Sequence, residues 1–125
     1  MRYLTVEDVY RANEVQSGQH PLGEFGLVES AILRPQMTIG GQDAYPDIHT
    51  KAAALLHSLI RNHPFVHANK RTAVVSALAF YGLNGWWVDA EDGELVGLAY
   101  DVAEGLLDVN EIAKRLASWA HPRDI

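Results

Sequence analysis

The residues with most chemical potential lie together in the run His63-Pro64-Phe65-Val66-His67-Ala68-Asn69-Lys70-Arg71-Thr72. A potential proton acceptor, an amide and two cations share one turn that leads into a helix. That set suits gripping a phosphate chain while a hydroxyl attacks it. Asn69 stands where a side-chain oxygen caps the following helix. The N-terminus of that helix offers free N–H groups and a positive dipole to an anion. Lys70 and Arg71 oppose the dipole of its first turn, so a nearby anion would account for both. The alternative is that both point into solvent. His63, just past a helix end, either acts as a base or satisfies that helix's last carbonyls. Phe65 reads as a core anchor that pins the turn.

His63 and His67 are four residues apart, a spacing that on a helix could chelate zinc. The metalloprotease pattern needs Glu directly after the first His, and Pro64 stands there and breaks the helix. His57 could join such a site only by packing. His20, His49 and His121 lack supporting context and read as surface residues.

The chain has 125 residues, 48% of them apolar, which suits one domain (1–125) with one packed core. A net charge of −6 argues against a nucleic-acid binder that relies on overall charge. The cations Lys51, Arg61, Lys70 and Arg71 fall within one third of the sequence. That predicts a local basic pocket for a small anion. The absence of cysteine excludes disulfides, zinc–thiolate sites and a cysteine nucleophile, and is consistent with a cytoplasmic protein. The N-terminus has no apolar signal-peptide core, and no run approaches the ~18 apolar residues of a membrane span.

The elements that must position this run are helical. Thr5 caps a first helix with Val6, Val9, Tyr10 and Ala12-Asn13 in rhythm, to about Val15. Residues 16–26 read as loop. A short helix fits Leu27–Leu33, stopped by Pro35. Residues 35–46 form a longer loop, a candidate flap for a target peptide or a plain connector. Asp47 caps a helix from about Ile48 to Asn62, with Ala52, Leu55, Leu56, Leu59 and Ile60 as its stripe. The next, from about Lys70 to Leu83, is apolar on nearly all sides and reads as the buried central helix. Asn84-Gly85 closes it. Trp86-Trp87-Val88 is a short extended segment, Glu91–Gly105 a helix, and Asp108 caps a last helix along Val109, Ile112, Ala113, Leu116 and Trp119. The fold class is all-α: a compact six-helix bundle with at most a short hairpin.

His63-Pro64-Phe65 followed by Asn69-Lys70-Arg71-Thr72-Ala73 resembles the signature of the Fic/Doc superfamily. The Asn-Lys-Arg ending resembles its death-on-curing (Doc) toxin branch. Leu27 to Gln36, Leu55-Leu56-His57 and Arg61-Asn62 look like the same branch, so the resemblance spans roughly residues 1–118. It implies a six-helix fold with the motif on a loop leading into the central helix. Fic-type proteins transfer part of a nucleotide, most often AMP, to a protein hydroxyl. Doc-like members carry a lysine where AMP-transferring members have a second glycine, and Lys70 stands there. The lysine fills part of the phosphate site, reverses the nucleotide and makes the activity protein kinase-like. Elongation factor Tu is the target in that branch.

The resemblance thus implies His63 as general base toward a Ser or Thr hydroxyl, a role that suits an imidazole near neutral pH. Asn69, Lys70 and Arg71 would hold the phosphates of ATP or another nucleoside triphosphate, with Arg61 a weaker candidate. The family's Mg²⁺-holding acid falls at His67, a poor replacement for a hard cation. His67 could bind a softer metal, hold phosphate directly, or leave a silent nucleotide- or partner-binding protein. The usual glycine is Ala68. The further arginine of AMP-transferring members is Val74, which weighs against AMP transfer. No self-inhibitory Ser/Thr-x-x-x-Glu-Gly/Asn segment is present. Restraint would then come from a Phd-type antitoxin, whose C-terminal segment folds into a groove of the toxin.

Overall fold

The computed structural model describes residues 1–123. Six helices carry the fold: α1 (Val6–Ser17), α2 (Phe25–Leu33), α3 (Ile48–Arg61), α4 (Asn69–Leu83), α5 (Asp92–Ala103) and α6 (Val109–Trp119). Three of them start where local chemistry dictates. Thr5, Asp47 and Asp108 each accept a hydrogen bond from the N–H three residues on, and the residue there bonds back to the cap. These reciprocal bonds satisfy donors that a helix start otherwise leaves free. Gly18, at φ 69°, ends α1 in the left-handed conformation that glycine adopts without a Cβ penalty.

Helix α3 is the axis of the bundle. Ten of its fourteen residues are buried, and it packs chiefly on α4 and α6 while α1 lies against α4. Its stripe Ala52, Leu55, Leu56, Leu59 and Ile60 meets Phe80, Leu98, Val102, Ile112 and Leu116 in one core. Helix α4 turns Ala73, Ala77, Phe80 and Tyr81 into that core. Its other apolar side, Val74, Val75 and Leu78, is only half-buried because it lines a cavity. Apolar character on nearly all sides thus reflects two different surfaces.

The segment 35–46 is more ordered than a loop. After α2 the chain makes a 3₁₀ turn at Arg34–Gln36, then a hairpin of β1 (Thr38–Ile39) and β2 (Gln42–Asp43) around Gly40-Gly41. Two ties hold it to α3. The buried Lys51 ammonium donates to the Pro35 carbonyl at 2.9 Å and contacts Asp43 at 3.4 Å. Arg34 donates to the Tyr45 hydroxyl, His57 Nδ1 and Ser58 Oγ, each at 2.9 Å. Trp86–Val88 is strand β3, and it pairs antiparallel with β4 (Ala120–Pro122), an element the sequence does not announce.

Candidate functional site

The chemically rich run is the connection between α3 and α4, and its shape is fixed by backbone bonds. His63 leaves α3 with φ 49° and Ala68 enters α4 with φ 61°. Each left-handed residue other than glycine costs about 1–2 kcal/mol, so the surroundings must hold the turn. One side is a two-stranded contact with residues 22–24. The Glu24 N–H donates to the Pro64 carbonyl at 2.9 Å and the Val66 N–H to the Leu22 carbonyl at 3.1 Å. Between them Gly23 faces Phe65, and a Cβ there would lie 2.7 Å from the ring. Phe65 is buried and meets Tyr10 edge-on, with centroids 5.1 Å apart. Its role as anchor matches its sequence reading.

Asn69 does not cap α4. The capping position is Ala68, and no side chain caps the helix there. The Asn69 amide reaches back instead: its oxygen accepts from the Phe65 N–H at 2.9 Å and its nitrogen donates to the Phe65 carbonyl at 2.8 Å. The backbone N–H groups of Asn69, Lys70 and Arg71 have no acceptor among the described residues, since the first helical bond runs from Thr72 to Ala68. The amides free to meet an anion here are those of the backbone, while the Asn69 side chain holds the loop.

This helix start opens into a groove-like cavity of about 750 Å³. His63, Val66, Ala68, Asn69, Lys70 and Arg71 line its cationic end, and Val74, Leu78, Leu95 and Ala99 its apolar length. Lys70 Nζ sits 5.1 Å above the Tyr100 ring, a cation–π contact that keeps the ammonium at the cavity wall. Asp92, at the start of α5, is the one carboxylate among the described lining residues.

Other candidates lie elsewhere. Arg61 donates to the Ala103 carbonyl at 2.8 Å and does not line the cavity. With Lys51 engaged at the hairpin, the four cations clustered in sequence separate in space, and Lys70 and Arg71 alone of the four line the cavity. His67 is exposed and lines no part of it. No helix joins His63 to His67, and no group of three His, Asp or Glu residues that could hold a metal exists among the described residues. The loop therefore does not by itself fit Mg²⁺, which prefers an oxygen shell. His57 is committed to Arg34 through Nδ1. His20 and His121 are exposed as expected, but His49 is not a free surface residue, since its Nδ1 and the Tyr81 hydroxyl share a hydrogen bond at 2.9 Å.

A family model described as Fic/DOC family matches residues 3–81. The chain belongs to the Fic/Doc family. It is 41% identical over 121 residues to "Toxin Doc" of Mycolicibacterium smegmatis (strain ATCC 700084 / mc(2)155), covering 94% of this chain and 93% of that protein. It is 32% identical over 120 residues to "Protein kinase doc" of Escherichia phage P1, covering 93% and 94%. The loop and helix start described above lie within the matched residues. Gly23, Asp92, Tyr100 and Asn13, whose side-chain amide donates to the His67 carbonyl at 2.8 Å, adjoin the site without being part of its sequence run. Asn13 had a legible signal, because it is a polar residue on the Val6–Val9–Tyr10 face of α1. The other three depend on contacts across the fold. Among the described residues, no helix is long and apolar enough to cross a membrane.

Proposed function

We propose that this Fic/Doc protein is a Doc-like toxin that transfers the terminal phosphate of a nucleoside triphosphate to a Ser or Thr hydroxyl of a protein. The observation that carries the reading is one cavity end holding His63, Lys70, Arg71 and the start of α4. The donor's phosphates lie against the free amides and between the two cations, which offset the charge that builds on the transferring group. His63 accepts the hydroxyl proton as the oxygen bonds to the terminal phosphorus. The bond from that phosphorus to the bridging oxygen breaks, and the nucleoside diphosphate leaves. No step is assigned to a metal. Val74 puts an apolar side chain on the cavity wall where AMP-transferring members place an arginine, which favours phosphate over AMP transfer. Elongation factor Tu is the target this reading tests first.

The apolar length of the cavity suits a second ligand. Val66, Val96 and Tyr100 stand exposed around it, and such a rim fits a peptide segment better than a second nucleotide. This is where the antitoxin's folding segment would bind, next to the phosphate end it must block. A silent antitoxin-binding module is the second reading, favoured by the placement of His67 outside the cavity. Expression in bacteria separates the two. A toxin arrests growth, and His63→Ala restores it. Growth unaffected by the wild-type protein, with soluble expression verified, overturns the proposal.

A further inference from the structure

We infer that Asn13 is a positioning residue for the phosphate site, holding from α1 the turn that aims the α4 amides. The inference rests on the proposed phosphate transfer. Asn13 is buried in the face that α1 turns toward α4, at 2% exposure. Its Nδ2 donates to the His67 carbonyl at 2.8 Å and to Thr72 Oγ1 at 3.1 Å. Both amide hydrogens are thereby used, one on each side of Ala68. The peptide between His67 and Ala68 is fixed by the first bond, and the first turn of α4 by the second. Ala68 lies between them at φ 61°, a conformation an alanine does not keep without support.

This geometry has two consequences. The N–H groups of Asn69, Lys70 and Arg71 come directly after the fixed peptide, so their direction is set by it. The contact uses the carbonyl of His67 and not its imidazole, so loop shape is independent of the side chain at position 67. The brace also comes from a helix 54 residues away in sequence. A buried amide bonded to backbone resists displacement better than an exposed one, because breaking it leaves unpaired polar atoms in the core.

The test compares wild type with Asn13→Ala and Thr72→Val, the latter removing one of the two bonds at nearly constant shape. Circular dichroism first verifies folding. The readouts are ATP-induced shifts of the Ala68–Arg71 backbone amides by NMR, and the rate of γ-phosphate transfer to elongation factor Tu. The expected result for Asn13→Ala is loss of those amide shifts and a fall in kcat on the order of 10²-fold, the scale of a misplaced reacting group. Thr72→Val is expected to fall less, in the same direction. Unchanged amide shifts in folded Asn13→Ala overturn the inference, and if that variant does not fold, unchanged shifts in Thr72→Val overturn it. A wild type that binds ATP at these amides but transfers nothing defeats the proposed activity and leaves the amide test of Asn13 standing.

Discussion

Asn69 and Phe65 grip each other in both directions: the side-chain amide of the first accepts from and donates to the backbone of the second, at 2.9 and 2.8 Å. This closed pair converts a strained connection into a rigid one. Asn69→Ala leaves two buried backbone groups without partners, each worth about 1–3 kcal/mol when unsatisfied. The expected outcome is a loss of roughly 2–4 kcal/mol in urea unfolding, with phosphate transfer reduced in the folded fraction as well. Asn69→Asp keeps one acceptor but sets a charged oxygen against the Phe65 carbonyl, so it should lose stability as well. Equal stability of all three proteins would refute the grip.

Gly23 and Phe65 make a second pair that can be tested as a pair. A Cβ at position 23 would sit 2.7 and 2.8 Å from two carbons of the ring. The ring is buried and cannot swing into solvent. Gly23→Ala should therefore cost about 1–3 kcal/mol, the usual penalty of overpacking. Phe65→Leu makes room, so the double variant should lose less than the sum of the two single ones. Chemical denaturation of the four proteins measures this, and strict additivity would contradict the close approach.

These relationships mark what the chain discloses by itself. Thr5, Asp47 and Asp108 are legible as caps because cap and partner lie three residues apart. The stripes of α3 and α6 are legible because helical spacing alone aligns them. Asn69 has the type of a cap, but the capping position falls on Ala68, and the Asn69 oxygen goes to the Phe65 N–H four residues earlier. Lys51 and Arg61 lie near the motif in sequence but bond elsewhere, to Pro35 and Ala103, 16 and 42 residues away. Strand β4 pairs with a segment more than thirty residues earlier and is short, so no local pattern marks it. His63, Lys70 and Arg71 were legible as a group because one short turn carries them all.

His57 makes stability respond to pH. Its burial, then Arg34 and Arg61, hold its pKa below the ordinary 6.5, with Asp108 opposing. Above that value both the folded and unfolded chains carry it neutral, and it contributes no pH dependence. As pH falls below 6.5 the unfolded chain takes up the proton first, so the native state loses stability until the lowered folded pKa is passed. Protonation would also break the Arg34 contact that helps hold the hairpin. Urea midpoints across this range should therefore fall more for wild type than for His57→Asn, which cannot take up that proton. Parallel curves would show that His57 carries no such linkage.

In the proposed function the α4 helix start, Lys70, Arg71 and His63 together transfer a terminal phosphate. The most direct measurement incubates purified protein and elongation factor Tu with ATP labelled at the γ or the α position, with Mg²⁺ or Mn²⁺ and an active Doc protein alongside. Label on the target is expected from the γ position alone, abolished by His63→Ala. Label from the α position would establish AMP transfer instead, and no label with either metal while the control is active would contradict the claim outright.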